Sequence, residues 1–298
     1  MSLPRCVLPG KTYIVTRRCS ERRFFLRPCA AVRQVVMFLL AVAAMRFGIR
    51  IHAAMVMSNH HHIVFTDVHG NYPEFLCHLH KLSAKCLNAH WGRWENLWST
   101  EQTSVVELTD AASVLDKVAY TLANPVTADL VERVADWPGA SSWNARDGRK
   151  VTTRRPGWYF DANGTMPEVA TMRFEVPPAF AGMSRATWAK LVQGEVSRRE
   201  RAAARARRER GVAVLGFQAV LAQSAFASPT TPAPRRTMSP RVAGRNKWRR
   251  IEALQRNRRW LDAYRSAFRQ LQQGIRDVLF PAGTYLLARL ELVTCHPG

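Results

Sequence analysis

Three consecutive histidines, His60, His61 and His62, have the clearest potential for chemistry in this sequence. They lie in a short apolar run that predicts a β-strand, in which successive side chains point to opposite faces. His60 and His62 should therefore point together and could share one metal ion, while His61 should face the other way with Ile63 and Phe65. For an isolated His-x-His pair, the alternative is that both are ordinary polar or core residues.

A second polar group lies on a predicted helix that begins after Asp110, which can act as its N-cap. The apolar residues of this helix form one stripe at about 100° per residue: Val114, Leu115, Val118, Ala119 and Leu122. Tyr120 falls outside the stripe, and Asn124, four residues later, can face the same space. Pro125 should end the helix directly after Asn124. Tyr120 is then either a functional side chain or a solvent-facing tyrosine before a helix-ending Asn-Pro.

Taken together, the two motifs resemble those of a known family. Residues 57–64, Met-Ser-Asn-His-His-His-Ile-Val, are similar to the Met-Pro-Asn-His-hydrophobic-His strand of the single-tyrosine HUH transposases. Residues 120–126, Tyr-Thr-Leu-Ala-Asn-Pro-Val, are similar to their Tyr-Ile-x-x-Asn-Pro-Val segment. The REP-associated tyrosine transposases are the group that the chain resembles most, over about residues 8–143. The sequence departs from the family at Ser58, where proline is usual, at His61, where an apolar residue is usual, and around residues 97–102.

This resemblance implies a specific chemistry. His60 and His62, with Asn124 as a candidate third ligand, would hold Mg²⁺ or Mn²⁺, and Tyr120 would attack a phosphodiester of single-stranded DNA. The products would be a 5′-phosphotyrosine and a free 3′-OH, from which strand transfer can follow. The expected partner is single-stranded DNA with palindromic hairpins, bound by a monomer or a homodimer. The alternative function is a domesticated, non-cleaving nucleic-acid-binding protein that keeps the fold.

The elements around these motifs predict an α+β fold. Strands are expected at 12–16, Ile49–Met57, 60–65 and Ser104–Leu108, and helices from about residue 28, over 72–88 and from Asp110 to about Leu122. The strand and helix order suits a ferredoxin-like antiparallel sheet with its helices on one face. The apolar stretch Ala30–Phe47 contains Arg33 and Arg46 and is interpreted as a buried helix of a protein that does not enter a membrane.

The charge of the chain points to a polyanionic partner. The 44 Lys and Arg residues outnumber the 22 Asp and Glu residues, which gives a formal net charge of +22. The excess lies in the second half, since residues 1–143 have 15 basic and 11 acidic residues and residues 144–298 have 29 and 11. We therefore expect a nuclease domain over 1–150 and a basic, mainly helical region over 151–298, with a proline-rich linker near 228–240.

Candidate DNA contacts are drawn from both regions. Helices are expected over 184–210 and again after residue 245, and a dense basic block of this kind can either contact phosphates or form a solvated face. The aromatic residues Trp248, Trp260, Tyr264 and Phe268 have helical spacing and are expected in a core rather than as base-stacking platforms. The candidate DNA-binding residues are Arg17, Lys117, Arg198, Arg199, Arg201, Arg205, Arg207, Arg208, Arg249 and Arg250.

Several other classes of protein fit this sequence poorly. The six cysteines form no C-x-x-C pair, which argues against a zinc ribbon and a disulfide framework. Cys77-His78-Leu79-His80 resembles a metal motif, but no second ligand pair lies at zinc-site spacing. Basic residues interrupt the first twenty positions, so no secretory signal is expected there and the protein is expected in the cytoplasm, associated with the nucleoid.

Overall fold

The computed structural model describes residues 4–232 and 240–296. The strands are β1 (Lys11–Arg18), β2 (Ile49–Met57), β3 (His60–Asp67), β4 (Ser104–Leu108), β5 (Val151–Arg154), β6 (Val169–Met172), β7 (Val242–Ala243), β8 (Leu279–Phe280) and β9 (Thr294–Cys295). The α-helices are α1 (Ala30–Phe47), α2 (Tyr72–His90), α3 (Ala111–Thr127), α4 (Arg185–Arg210), α5 (Phe217–Ala222), α6 (Lys247–Gln272) and α7 (Leu286–Arg289).

One five-stranded sheet, in the order β2-β3-β1-β4-β7, forms the centre of the molecule. Its first four strands are antiparallel, and β7 joins β4 in parallel. β2 and β3 form a hairpin whose register shifts between Ile51 and Ala53. The predicted α+β class is therefore confirmed.

Helices cover both faces of this sheet. As predicted, α1 and α2 share one face, where Phe38 and Phe75 belong to the same buried cluster as Ile63 and Phe65. The expectation of helices on one face only is wrong, because α3 covers the other face and α4 packs on α3, which gives a second buried cluster. The reason lies in residues 53–57 of β2, where both alternating sets of side chains are apolar, so that each face of the strand requires a covering layer.

Helix α1 lies in the first of these clusters. It is the one helix of the described residues that is long and apolar enough to cross a membrane, a test that the core helix of a soluble protein also passes. Its Val35, Phe38 and Leu39 are fully buried, and the helix packs on α2 and β2. The interpretation of this stretch as a buried helix is confirmed.

Residues after 150 contribute to the same structure. Ser184 caps α4, which ends at Gly211 in the left-handed conformation, in agreement with the predicted helix over 184–210. Trp188, Val192 and Val196 of α4 complete the second cluster. The predicted domain boundary at residue 150 stays a prediction. The second cluster contains residues from both sides of it. Most of the predicted linker, at residues 233–239, lies outside the described residues.

The described residues after position 240 pack around α6. Trp260 and Ala267 are buried, and Tyr264 and Phe268 pack on a third cluster with Val278 and Phe280. The expected core role of these aromatic residues is confirmed for all but Trp248, which is 74% exposed. After residue 285 the chain forms the short helix α7.

Candidate active site

The candidate ligand histidines lie on a central strand of the sheet. β3 pairs with β1 on one side and β2 on the other, with His62 opposite Thr16 and Met55. Because side chains alternate along β3, His60 and His62 lie on the face that α3 covers, and their ring centroids are 4.8 Å apart. The structure thus brings the two histidines together as the sequence predicts.

The Nδ1 atoms of both imidazole rings lie within hydrogen-bond distance of side-chain oxygen atoms. His60 Nδ1 lies 2.7 Å from the side-chain oxygen of Asn59, and His62 Nδ1 lies 2.8 Å from Thr16 Oγ1. The amide nitrogen of Asn59 donates to the carbonyl of Arg22 at 3.2 Å, so its oxygen faces the imidazole and can only accept from it. In this arrangement Nδ1 of His60 donates to Asn59, which leaves Nε2 as the atom through which a metal would be bound.

Tyr120 stands beside these histidines. Asp110 and Ser113 form a capping box at the start of α3, and the buried Val114, Val118 and Leu122 fix the face that the helix presents to the sheet. Tyr120, which is 37% exposed, lies outside that face, and its ring centroid is 5.3 Å from that of His62 in an edge-on arrangement. A partly exposed tyrosine next to paired histidines suits a nucleophile that a substrate phosphate can reach.

Asn124 is buried one turn after Tyr120 on α3. The prediction that the helix ends before Pro125 is wrong, since α3 continues to Thr127 with Pro125 inside it. Proline removes one N–H donor there, and the last turn is closed by bonds from Ala128 to the carbonyl of Asn124 and from Leu130 to that of Pro125. The helical geometry that places Asn124 at i+4 from Tyr120 is therefore kept.

The donor set around the histidines is incomplete for a closed metal site. Within the part of the chain that the structure describes, no three His, Cys, Asp or Glu side chains lie close enough together to hold a metal ion. Two imidazoles alone, or with the candidate amide oxygen of Asn124, would leave positions for water and substrate oxygens. This open arrangement fits a catalytic Mn²⁺ or Mg²⁺ better than a structural zinc, which takes four protein ligands.

Asp116, one turn before Tyr120, joins three basic side chains. Its carboxylate lies 2.7 Å from Arg199 of α4, 3.0 Å from Arg245 and 3.3 Å from Lys117. Burial raises the pKa of Asp116, but the charges of Lys117 and Arg199 outweigh that effect and the pKa is lowered. The Lys117 ammonium also lies 5.2 Å from the centroid of the Tyr120 ring. Asp116 thus holds α4 and the start of α6 against α3.

His61 points to the opposite face, as predicted. Its Nε2 lies 3.0 Å from Nε2 of His80, and Trp98 packs edge-on against its ring. Burial lowers the pKa values of both histidines, and the nearby charge of Arg17 lowers them further. The unusual polar residue at position 61 therefore has a hydrogen-bond partner in His80, a residue that sequence reasoning had set aside.

The candidate DNA-binding arginines differ in availability. Arg17 donates to Glu101 O at 3.0 Å and to Thr103 Oγ1 at 2.6 Å. Arg207 is buried and donates to the carbonyl of Val126 at 3.1 Å, so its guanidinium is not available to a phosphate in this structure. Arg199, with 15% of its side chain exposed, is committed to Asp116. The remaining candidates are exposed: Arg198, Arg201, Arg205, Arg208, Arg249 and Arg250.

A groove of about 860 Å³ opens beside the candidate ligands. Asn59 and His60 form one wall with Asp129, and Leu215 and Gln223, which belong to the basic region, form another. Ser58 donates to Gln223 at 2.9 Å, so the residue that replaces the family's proline connects the hairpin to this region. The sequence did not indicate this wall or the roles of Thr16, Asn59 and Asp116. These features depend on contacts with residues far away in the chain.

Comparisons with known proteins give only distant likenesses. No protein-family model matches the chain, and no curated protein matches it. A REP-associated tyrosine transposase solved with a REP hairpin is similar over 49% of this chain and 84% of its own, at 19% identity and a TM-score of 0.41. A candidate transposase from Deinococcus radiodurans R1 is similar over 36% of this chain and 85% of its own, at 22% identity and a TM-score of 0.28.

Proposed function

We propose that this protein is a metal-dependent, single-stranded DNA nuclease and strand transferase that uses Tyr120 as its nucleophile. The observation that supports this most directly is the distance of 5.3 Å between the rings of Tyr120 and His62, with His60 4.8 Å beyond. His60 and His62 lie on β3, and Tyr120 lies on α3, about 60 residues later in the chain. Their convergence at a partly exposed position is what phosphoryl transfer to a tyrosine requires.

His60 and His62 would hold the divalent cation, with Asn124 as the candidate third ligand. Mn²⁺ suits this set because it accepts imidazole ligands readily, and Mg²⁺ suits the oxygen ligands of the substrate. When bound, the cation polarises the scissile phosphate and neutralises part of its charge. Asn59 and Thr16 keep the two imidazoles oriented through their Nδ1 atoms.

The proposed reaction has two balanced steps. The Tyr120 hydroxyl loses its proton to solvent and its oxygen attacks phosphorus, the bond from phosphorus to the 3′ oxygen breaks, and that oxygen takes up a proton. A 5′-phosphotyrosine and a free 3′-OH result. In the second step the 3′-OH of another strand attacks the same phosphorus and releases Tyr120. The phosphodiester bond energy is kept throughout, so no nucleotide cofactor is needed.

The substrate of this reaction is single-stranded DNA with palindromic hairpins, bound by a monomer or a homodimer at the nucleoid. The groove of about 860 Å³ beside His60 would receive part of the unpaired strand. Exposed arginines such as Arg201, Arg208, Arg249 and Arg250 supply phosphate contacts that add affinity without sequence preference. Lys117, beside the Tyr120 ring, is placed to meet a phosphate near the scissile bond.

The test is a denaturing gel of the protein incubated with Mn²⁺ and single-stranded oligonucleotides taken from the flanks of its own gene. We expect a shifted covalent band that requires Mn²⁺ and disappears in Tyr120→Phe. Tyr159→Phe, which removes a hydroxyl away from the histidines, is the matched control and should keep the band.

A band that survives Tyr120→Phe would eliminate Tyr120 as the nucleophile. If several flanking hairpins give no band while binding is tight and salt-dependent, the non-cleaving nucleic-acid-binding protein becomes the better assignment.

A further inference from the structure

A row of arginines runs along the outer face of α6. We propose that this row, Arg258, Arg265 and Arg269, binds the sugar-phosphate backbone of double-helical DNA. This goes beyond strand cleavage, since it does not involve Tyr120; only the choice of DNA over RNA rests on the proposed function.

The spacing of the row follows from helical geometry. At 100° per residue, the three arginines lie within about 40° of one direction around α6. Ala253, Trp260 and Ala267, which are buried, point almost the opposite way. With a rise of about 1.5 Å per residue, the row places a cation at about 0, 10 and 16 Å along a straight rod. The three arginines face solvent with Arg259 exposed beside them, and the exposed Asp262 lies on the same face between Arg258 and Arg265, so the row is a linear array with a net positive charge.

Among the described residues, no carboxylate lies within ion-pair distance of the arginines of the row. In α6, Arg256 pairs with Glu107 of β4. In the basic block of α4, Arg198 pairs with Glu195, Arg199 with Asp116 and Arg205 with Glu209, while Arg207 and Arg210 share Asp129. Arg201 and Arg208 keep α4 partly charged, but α6 has more exposed arginines without an ion pair, and phosphates are attracted to such charges.

The surroundings of the row favour a duplex over a single strand or a membrane. Single-strand binding uses exposed aromatic platforms, but Trp260 is buried and Tyr264 and Phe268 pack on the third cluster; the exposed Trp248 lies in the first turn of α6, ten residues before Arg258. A helix at a membrane surface needs a free apolar face, and the apolar face of α6 is already covered by this packing. A straight row of cations fits the regular phosphates of a rigid double helix.

Contacts at its N-terminus connect α6 to the candidate active site. Asn246 caps the helix and its backbone N–H donates to Asp110, the N-cap of α3, at 3.0 Å. Arg245 pairs with Asp116, one turn before Tyr120. A duplex bound along the row would therefore be held by a helix that is fixed directly to the helix of the nucleophile.

The test compares two triple variants of the full chain by fluorescence anisotropy with a labelled DNA duplex and a single strand of equal length. Arg258→Gln/Arg265→Gln/Arg269→Gln should lower the slope of log K against log salt concentration for the duplex by about 2.7, because each phosphate contact contributes about 0.9. Arg198→Gln/Arg205→Gln/Arg210→Gln, which removes the same charge from ion-paired and exposed arginines of α4, should change that slope by less than about 1.

Three results with nucleic acids would overturn the proposal: an equal loss of slope in the α4 variant, an equal loss of slope when the α6 variant binds the single strand, or tighter binding of an RNA duplex than of the DNA duplex. A fourth is binding of the wild-type protein to phosphatidylserine vesicles that is lost in the α6 variant, which would indicate a membrane surface. The covalent adduct with single-stranded DNA should persist in the α6 variant, so a failure of the duplex proposal is separable from a failure of the Tyr120 proposal.

Discussion

At the scale of single residues, Asn59 decides how His60 can act. Its amide nitrogen is committed to the Arg22 carbonyl and its oxygen accepts from Nδ1 of His60. This fixes both the ring orientation and the tautomer, with the lone pair on Nε2, as is usual for a metal-ligating histidine. Asn59 is thus a positioning residue next to a candidate ligand.

Substitution of Asn59 should therefore weaken metal binding rather than folding. We expect Asn59→Ala to raise the Mn²⁺ concentration for half-maximal adduct formation by about 10- to 100-fold. Asn59→Asp, whose carboxylate can still accept from Nδ1, should recover part of the loss. Ser58→Ala, at the neighbouring position, should leave the Mn²⁺ requirement unchanged. An unaltered requirement in Asn59→Ala would show that Asn59 does not orient His60.

Three buried histidines make the stability of the fold depend on pH. Burial lowers the pKa of His52 to about 4, and burial together with nearby positive charge lowers the pKa values of His61 and His80. The unfolded chain, with an ordinary pKa near 6.5, binds these protons first. The stability that neutral histidines provide is therefore complete above about pH 6.5 and is lost as the pH falls towards 4.

Urea unfolding at pH 7.5, 6.0 and 5.0 measures this effect. We expect the free energy of unfolding to fall by up to about 1.4 kcal/mol per pH unit for each of the three histidines below pH 6.5. His80→Gln should make the dependence less steep, whereas His69→Gln, at an exposed position, should leave it as in the wild type. Equal steepness in His80→Gln would contradict a role for the His61–His80 pair.

At the scale of elements, the ends of α3 and α4 are fastened by one buried guanidinium. Arg207 donates to the carbonyl of Val126 in the last turn of α3 and pairs with Asp129 at 3.5 Å. Carbonyls of a last helical turn have no partner within the helix, so Arg207 satisfies one from outside. The basic block of α4 thus includes a residue that positions the helix of Tyr120.

Arg207 and its neighbour Arg208 form a matched pair for testing this. Arg207→Gln should lower the free energy of unfolding by about 2 kcal/mol, because it leaves buried groups without a charged donor. Arg208→Gln, at an exposed position, should change it by less than about 0.5 kcal/mol. Thermal or urea unfolding of both variants measures the difference, and similar losses would mean that Arg207 has no special structural role.

At the scale of the whole molecule, one sheet separates two cores, and the basic region completes the second of them. Trp188 of α4 is 2% exposed and lies in the same cluster as Val114 and Leu122 of α3. β7 adds a parallel strand at the edge formed by β4. The helix that contains Tyr120 is therefore packed between the sheet and a region far away in sequence.

We expect the loss of this contact to destabilise the sheet as well as the basic region. Trp188→Ala should cost about 3–5 kcal/mol, the usual loss for a fully buried aromatic side chain, in the transition that unfolds the sheet. Trp248→Ala, at an exposed position, should cost almost nothing. The measurement is urea unfolding followed by circular dichroism. A separate, earlier transition of α4 alone would instead indicate an independent second domain.

The sequence by itself determined the main elements up to α3 and which residues to consider for the site. Local signals were sufficient for this: alternation placed His60 and His62 on one face of β3, and the apolar stripe left Tyr120 outside the core face of α3. The capping residue Asp110 marked the start of α3 correctly. These features depend on neighbours within a few residues, and their physical causes are visible in a short window of sequence.

Only the tertiary structure decided which charges are available and what surrounds the site. Arg207 and Arg208 are adjacent in the same basic run, yet one is buried against α3 and the other is exposed. The continuation of α3 through Pro125 also depends on bonds that a local helix-breaking rule does not include. Burial and pairing depend on residues 80 or more positions away, so a charge that looks free in sequence is free only if no distant carboxylate or carbonyl reaches it.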